Sequence, residues 1–249
     1  MNKKVIATLF GLPCVVAWAS SEVTSDWGYQ AQTAPQYWSQ LNSKYQTCAG
    51  HNQSPINIEH VISADLAPLD FDYKTAATSI VKLPHTLQAN FHQGSYLSLE
   101  GERFQLLQMH LHSPSENTVH GKSFPMELHL VHASEKGELA VIAMMYEQGK
   151  KNQALDGLWQ QYRQPQKVFN LNADQFLPTH REYYRFNGSL TTPPCTEGVR
   201  WVVLKDIQQA SAQQIANFAA LVGYPNNRPV QATNARLVCK RPLNPMPIF

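Results

Sequence analysis

Short stretches of alternating apolar and polar residues dominate the part of the chain between Ile80 and Val141. A period of two residues is typical of β-strands, because successive side chains point to opposite faces of a sheet. Residues 96–100 and 104–112 follow this pattern, and a turn is predicted between them at Gly101. Residues 139–146 are almost entirely apolar, which predicts a buried strand.

Helical periodicity is confined to two stretches, residues 152–161 and 211–222. Residues 20–50 are rich in polar and aromatic side chains without a clean period, so we expect an irregular segment that packs on the body of the protein. The pattern as a whole predicts a single strand-dominated domain with a few short helices.

Composition narrows the class of protein. The chain has 249 residues, of which 43% are hydrophobic and 15% charged, and this is enough for one large core. The formal net charge is only +2, and the body of the chain has no dense Lys/Arg run. We therefore expect no nucleic-acid partner.

The first nineteen residues have the features of a secretory signal peptide. Lys3 and Lys4 precede an apolar stretch, and Ala17-Trp18-Ala19 fits a cleavage site of small residues. The apolar stretch of about fifteen residues is too short to span a bilayer comfortably, so no stable membrane anchor is expected. The prediction is a signal peptide at 1–19, a mature domain at 20–249 and a periplasmic location.

The cysteines are consistent with export. Cleavage would remove Cys14 and leave Cys48, Cys195 and Cys239. An oxidising compartment favours one disulfide and leaves an odd thiol. The residues alone leave all three pairings open.

Three histidines lie on two strand-like stretches, residues 108–112 and 127–131. The period of two places His110 and His112 on one face of the first stretch, and His129 on one face of the second. The opposite face of the first stretch is expected to be apolar and to consist of Leu107, Met109 and Leu111. Paired strands would bring the three imidazoles together, and three protein ligands with a fourth position open are typical of a catalytic metal site.

Polar neighbours strengthen the metal interpretation. Gln108 shares a face with His110, and Glu127 shares a face with His129, so each can accept a hydrogen bond from the ring nitrogen that does not bind metal. A lone histidine would more simply be a buried, hydrogen-bonded side chain. The spacing does not identify the metal, since imidazole suits zinc, copper, iron and nickel.

The wider pattern resembles the α-class carbonic anhydrases. Five motifs carry the resemblance: residues 53–58 (QSPINI), 110–116 (HLHSPSE), 127–132 (ELHLVH), 188–194 (GSLTTPP) and 227–231 (NRPVQ). Trp27-Gly28-Tyr29, which precedes them, also matches. The resemblance implies a mainly β (α+β) fold with a large central twisted, mostly antiparallel β-sheet and short peripheral helices. It implies a zinc lyase in which zinc-bound hydroxide hydrates CO2 to bicarbonate.

The resemblance also implies roles for individual residues. His110, His112 and His129 would be zinc ligands, oriented by Gln108 and Glu127. Thr191 would accept a hydrogen bond from the zinc-bound hydroxide and donate its own proton to Glu116; without Glu116, a turn or strand threonine would be the simpler interpretation. The residues expected to hold CO2 and bicarbonate are Val131, Val141, Leu190, Thr192 and Trp201.

Proton release requires a group that titrates near neutral pH. His85 occupies the family position of the proton shuttle, although the family more often has Asn-Gly before this histidine, and a surface histidine without a role is the alternative. His92 and His120 are weaker candidates, and His132 is expected to be structural because it faces away from His129. Tyr29 and Gln88 would line the cavity.

The relatives also suggest covalent and conformational features. Exported relatives pair cysteines at the positions of Cys48 and Cys195, which would leave Cys239 free. A cis X–Pro bond is expected in the 191–194 stretch. Asn117 stands where relatives usually have histidine and Phe186 where many have tyrosine; losing both partners of a shared hydrogen bond leaves no buried group unpaired, so we expect modest effects.

Two other functions are compatible with the same fold. One is a non-catalytic relative that binds partners, but such proteins typically lose a zinc ligand and this chain has all three. The other is a zinc esterase, which we expect only as a side activity because no Ser or Cys nucleophile motif is present. The residues allow a monomer or a homodimer.

Overall fold

The computed structural model describes residues 26–164 and 169–241. The predicted signal peptide, residues 1–19, lies outside the described residues. Among the described residues, no helix has the length and apolar character needed to cross a bilayer.

Strands account for most of the regular structure in the described part of the chain. They are β1 (Asn57–Ile58), β2 (Ile62–Ser63), β3 (Asp70–Asp72), β4 (Ala77–Leu83), β5 (Thr86–Phe91), β6 (Tyr96–Leu99), β7 (Glu102–His112), β8 (Thr118–Val119), β9 (Met126–Ser134), β10 (Leu139–Gln148), β11 (Tyr183–Ser189), β12 (Glu197–Leu204), β13 (Gln208–Ala210) and β14 (Cys239–Lys240). The α-helices are α1 (Trp38–Leu41), α2 (Gln153–Arg163) and α3 (Ala212–Val222). Short 3-10 helices at Ala31–Thr33, Pro35–Tyr37 and Ser43–Ala49 make the N-terminal segment irregular, as predicted.

Twelve strands form one large sheet, and the expected mainly β fold with a mostly antiparallel sheet is confirmed. The strand order is β2-β14-β11-β12-β10-β9-β7-β5-β4; β13 also pairs with β10, and β6 joins β3 to β7. The parallel pairs in this sheet are β10–β12, β10–β13 and β14–β2, and the other pairs are antiparallel. β1 and β8 form a separate parallel pair.

Local signals explain where the predicted elements begin and end. Asn152 and Ser211, the first residues of the two predicted helices, are N-caps whose side chains accept hydrogen bonds from the first turns of α2 and α3. The predicted turn between β6 and β7 is a two-residue hairpin in which Glu100 and Gly101 both have positive φ, 55° and 78°.

A β-bulge in β7 overturns one detail of the predicted alternation. The register with β9 shifts between Leu106 and Gln108, so Leu107 is an extra residue on β7. Leu106 is buried in the main core and Leu107 is 39% exposed. Placing Leu107 on the apolar face with Met109 and Leu111 was therefore wrong, because the bulge lies between them.

The sheet separates two apolar clusters. The larger cluster packs β7 and β9 side chains such as Leu106, Leu128 and Leu130 against α2 and α3. The smaller cluster lies beside the face that carries His129 and is built largely from β10, β11 and β12. The candidate site is therefore attached to the central strands β7, β9 and β10, between the two clusters.

Candidate metal centre

Cross-strand pairing brings the three predicted histidine ligands together. His110 on β7 pairs directly with His129 on β9, and His112 pairs with Glu127 two residues further along. Directly paired residues of adjacent strands project to the same face. The ring centroids of His110, His112 and His129 are separated by 4.7 to 5.2 Å, and one ligand nitrogen from each lies within 4.8 Å of the other two.

Each imidazole is oriented by an acceptor on its other ring nitrogen. His110 Nδ1 donates to Gln108 Oε1 at 2.8 Å, and His129 Nε2 donates to Glu127 Oε1 at 2.8 Å. His112 Nδ1 donates to the backbone carbonyl of Asn226 at 2.7 Å. These tautomers follow from the acceptors, and they leave His110 Nε2, His112 Nε2 and His129 Nδ1 as free lone pairs.

Burial keeps the imidazoles neutral. Desolvation lowers the pKa of all three histidines, and it is joined by neighbouring imidazoles at His110 and His129. At His112 the Asn226 carbonyl and Glu127 oppose the shift. Neutral imidazole is the form that binds metal, so the histidines are held ready for a cation at neutral pH.

Asn117 supports Glu127 from behind. The amide Nδ2 of Asn117 donates to Glu127 Oε1 at 2.7 Å, and the backbone amides of Glu116 and Asn117 donate to Oε2 at 2.7 and 2.8 Å. Asn117 Oδ1 accepts from the backbone amide of Ile56 at 3.1 Å. Burial raises the pKa of Glu127, and the donated hydrogen bonds oppose that rise. Both polar atoms of the Asn117 side chain therefore have hydrogen-bond partners. The Phe186 ring stacks on the Trp201 ring with a 3° interplanar angle.

Glu116 lies beneath the histidines. Its Oε1 accepts from the backbone amide of Arg228 at 2.9 Å, and its Oε2 lies 3.4 Å from His112 Nε2 and 4.0 Å from His129 Nδ1. Burial raises the pKa of this carboxyl well above its usual range, while the Arg228 amide and the Thr191 hydroxyl beside it lower it. Thr191 itself is 5% exposed. The structure therefore brings Thr191 and Glu116 together, next to the histidines.

The Arg228 side chain braces this carboxyl through the backbone. Its guanidinium donates to Gln53 Oε1 and to the carbonyls of Ser54 and Cys48, each at 2.8 Å. Gln53 in turn donates to the carbonyl of Cys195 at 3.2 Å. The 53–58 motif and the 227–231 motif thus form the support beneath Glu116, which fits the structural role expected of them.

The predicted apolar residues form a row on the same sheet face. Val131, Val141 and Trp201 are direct cross-strand neighbours on β9, β10 and β12, one row from His110 and His129. The Trp201 ring lies 5.0 Å from the His129 ring. Leu190 packs against the same cluster. Val131, Val141 and Trp201 are buried and Leu190 is partly buried, whereas the open cavity is lined by other residues.

An open cavity of about 320 Å³ leads to the histidines. His110, His112 and the predicted Thr192 are among the residues that line it. The remaining lining residues are Trp27, Tyr29, Leu83, Pro84, His85, Thr86, Gln88 and Gln108. His92 and His120 are exposed and do not line this cavity. Of the candidate shuttles, the structure therefore places only His85 at the cavity.

Both ring nitrogens of His85 are held by the protein. Nδ1 lies 2.6 Å from the Tyr224 hydroxyl, and Nε2 lies 2.9 Å from the carbonyl oxygen of Trp27. The Trp27 ring packs on the imidazole at 4.4 Å between centroids. Burial lowers the pKa of His85, opposed by the Trp27 carbonyl.

Sequence reasoning missed two residues of this site, Tyr224 and Asn226. Asn226 accepts from His112 through its carbonyl, and its side-chain amide donates to the carbonyls of His85 and Leu111 at 2.8 and 3.0 Å. Both residues lie more than a hundred positions from their partners along the chain, in a loop with no periodicity. Only their position just before the 227–231 motif could have drawn attention to them.

His132 is structural, as predicted. It lies on the opposite face of β9, fully buried, with Nε2 at 2.6 Å from the Tyr73 hydroxyl and Nδ1 at 3.3 Å from the Ala140 carbonyl. Burial lowers its pKa to about 4.

The predicted covalent features are confirmed. Cys48 and Cys195 form a disulfide across 147 residues, and Cys239 is a free, partly buried thiol. The Pro193–Pro194 bond is cis, and so are Ser54–Pro55 and Ser113–Pro114. Cys195 follows the 191–194 stretch directly, and its backbone amide donates to the Thr192 carbonyl at 2.9 Å. The disulfide thus ties the N-terminal segment to the loop that carries Thr191.

The donor set fits a zinc ion. Among the described residues, the buried Nε2 atom of His112 has no hydrogen-bond partner, which is costly unless a cation uses the lone pair. Three neutral imidazoles, each hydrogen-bonded to an acceptor through its other ring nitrogen, are one of the ligand sets of catalytic zinc sites.

Comparison with known proteins agrees with this site. A family described as eukaryotic-type carbonic anhydrase matches residues 33–242. A carbonic anhydrase of Klebsiella pneumoniae is 42% identical over 242 residues, covering 93% of this chain and 98% of the relative.

Solved structures give the same result. A hyperthermostable carbonic anhydrase from a hydrothermal vent chimney superposes with a TM-score of 0.83 at 41% identity, covering 87% of this chain and 100% of that one. The α-carbonic anhydrase of Thermovibrio ammonificans, solved with the inhibitor sulfanilamide, superposes with a TM-score of 0.80 at 39% identity, covering 86% and 98%.

Proposed function

Because the chain belongs to the eukaryotic-type, or α-class, carbonic anhydrase family, and is thus a carbonate dehydratase, we propose that it interconverts CO2 and bicarbonate with a resident zinc ion. The observation that carries the proposal is the convergence of three neutral imidazoles, each oriented by its own acceptor, beside a cavity that His110 and His112 line.

His110 Nε2, His112 Nε2 and His129 Nδ1 would hold the zinc. The chemistry that bound zinc supplies is a water whose pKa is lowered to about 7, a value known from carbonic anhydrase itself. Gln108, Glu127 and the Asn226 carbonyl would hold the ligand rings in place.

Thr191 and Glu116 would orient the nucleophile. A threonine hydroxyl has one proton; when it donates that proton to a carboxylate, it can only accept from the oxygen above it. Glu116 receives a hydrogen bond from the Arg228 amide, which favours the carboxylate. The pair would therefore select an oxygen that carries a proton and aim its remaining lone pair at carbon.

Substrate would rest against the apolar row beside His129. CO2 has no net charge and makes only weak hydrogen bonds, so Val131, Val141, Leu190 and Trp201 would hold it without a cost of desolvation. Thr192, at the cavity wall, would contact the more polar bicarbonate.

His85 would carry the proton from the cavity to buffer. Of the histidines considered as proton shuttles, His85 is the one that lines this cavity. Imidazole titrates in the pH range that the reaction requires. Its two hydrogen bonds hold the ring in one orientation, so each transfer would break or reverse one of them.

Stopped-flow CO2 hydration by the purified protein tests the proposal. We expect one zinc per chain, loss of activity on removal of zinc with dipicolinate, and recovery on adding zinc back. His112→Ala should lower zinc affinity more than His92→Ala, which removes an exposed histidine. An active metal-free protein, or an inactive protein that holds zinc, would contradict the proposal.

Esterase activity is a side reaction of the same proposal. A nucleophile built for CO2 can attack an activated ester, so hydrolysis of 4-nitrophenyl acetate should be slow and should disappear with zinc. Hydrolysis that survives zinc removal would contradict a shared site.

We propose a periplasmic location and a monomeric or homodimeric state. The Cys48–Cys195 disulfide supports an oxidising compartment. N-terminal sequencing of the mature protein after expression with its own leader would test cleavage after Ala19, and light scattering would give the oligomeric state.

A further inference from the structure

We propose that Tyr224 is a positioning residue for proton release, because its hydroxyl can pair with His85 Nδ1 in both charge states of the imidazole. The inference rests on the proposed function and adds to it a residue that orients the shuttle rather than touching substrate.

The contacts identify the neutral state. Nε2 of His85 faces a carbonyl oxygen, that of Trp27, which can only accept, so Nε2 carries a hydrogen. In neutral imidazole Nδ1 is then the acceptor, and the Tyr224 hydroxyl at 2.6 Å is the donor.

The same hydroxyl has a second acceptor. Tyr224 Oη lies 3.0 Å from the carbonyl oxygen of Pro84, the residue before His85. A hydroxyl has one hydrogen, so it can donate to His85 Nδ1 or to Pro84, but not to both at once.

Protonation of His85 therefore needs only a rotation of one hydrogen. When a proton is added at Nδ1, the new N–H donates to Tyr224 Oη, and the tyrosine hydrogen turns to the Pro84 carbonyl. When the imidazolium gives that proton to buffer, the hydrogen bond reverses again. No heavy atom has to move, and neither charge state leaves a ring nitrogen without a partner.

The surroundings are built to keep this arrangement in place. Asn226 holds the His85 backbone carbonyl at 2.8 Å, and the Trp27 ring packs against the imidazole. Lys82 is the charged side chain that acts on His85 and lowers its pKa, and its ammonium also donates to the Pro84 carbonyl at 3.2 Å. The Tyr29 ring lies 5.6 Å away, edge-on. A cation at Lys82 opposes a second charge on His85, so the acceptor provided by Tyr224 matters most for the imidazolium.

Tyr224→Phe tests the proposal. Hydrogen bonds to a charged group are stronger than those to a neutral one, so losing the hydroxyl should disfavour the imidazolium and lower kcat in dilute buffer about five-fold. kcat/KM for CO2 should not change, and imidazole buffer should restore kcat. NMR titration of the His85 ring should show a lower pKa in the variant.

The matched control is Tyr183→Phe. The Tyr183 hydroxyl also donates to a carbonyl, that of Ala67, at 2.7 Å, but it lies on β11 outside the cavity. This variant should keep the wild-type kcat in dilute buffer. In a His85→Ala background, Tyr224→Phe should have no further effect on kcat.

Three results would overturn the inference: an unchanged kcat and His85 titration in Tyr224→Phe, an equal loss in kcat/KM, or an equal loss in the His85→Ala background. Failure of the proposed function is a separate result. A wild-type protein that binds zinc but does not hydrate CO2 would reject the function, while the His85 titration would still decide whether Tyr224 supports the imidazolium.

Discussion

His110 lies directly opposite His129 because Leu107 is an extra residue on β7. Before the bulge, Phe104 and Leu106 point into the main core; after it, Met109 and Leu111 do so. The bulge therefore changes the phase of the strand by one residue. If Leu107 instead took part in the regular alternation, His110 would turn to the opposite face from His129.

Deleting Leu107 should leave both the metal centre and the core in place. Without the extra residue the strand alternates regularly, so Phe104, Leu106, Met109 and Leu111 stay on the core face and His110 stays opposite His129. We expect zinc affinity within about three-fold of wild type and a loss of stability of no more than about 2 kcal/mol. Metal analysis and urea unfolding measure the two outcomes.

Leu107→Ser is the control, since the side chain is 39% exposed and should change stability by less than about 0.5 kcal/mol. A deletion variant that loses zinc or unfolds much more easily would show that Leu107 does more than change the phase of the strand.

The bulge also shows where sequence reasoning stops. The alternation of residues 108–112 was enough to place the histidines, Gln108 and Glu127, because period two is a local property. Leu106 and Leu107 are both apolar, so the pattern could not show which of them faces the core. The disulfide partner of Cys48, and the roles of Tyr224 and Asn226, depend on contacts between distant parts of the chain. The resemblance to relatives supplied the first of these, and no local signal supplied the others.

Asn117→Ala should weaken zinc binding. The variant removes the amide that donates to Glu127 and leaves the buried Ile56 N–H without its acceptor. We expect zinc affinity to fall about ten-fold to 100-fold, and stability to fall by about 1 to 3 kcal/mol. Competition with a chelator and urea unfolding measure these effects.

Asn217→Ala, which removes a partly exposed asparagine that accepts a hydrogen bond from Gln213 on α3, is the matched control. Asn117→His should give no gain in zinc affinity, because the present amide already supports Glu127. A clear gain would show that the departure from the family residue is a defect.

Removing the disulfide should destabilise the protein. In the chain-entropy model, a cross-link that closes a loop of 147 residues contributes about 5 kcal/mol. The double variant Cys48→Ser/Cys195→Ser should show this loss in urea unfolding, and wild type under reducing conditions should resemble it. Cys239→Ser should behave as wild type, since that thiol is free. A double variant as stable as wild type would mean that the reduced chain retains the same constraint.

His132 should make the protein sensitive to acid. Its pKa is about 4 in the folded protein and about 6.5 in an unfolded chain, so between these values the unfolded chain binds the additional proton. The contribution of His132 to the free energy of unfolding is therefore fully present above about pH 6.5 and is lost as the pH falls to about 4. The loss should approach about 3 kcal/mol.

His132→Gln should flatten that part of the stability profile relative to wild type, whatever its effect at neutral pH. Unfolding free energies measured from pH 7 to pH 4 for both proteins give the difference. Parallel profiles would show that His132 does not account for the acid sensitivity.

Asn226 has a consequence for the order in which the site is made. His112 precedes the carbonyl that orients it by 114 residues, and the same loop holds His85. During synthesis the ligand strands emerge long before this loop, so a nascent chain has histidines but no finished cradle for a cation. Metal loading at this site should then follow completion of the chain.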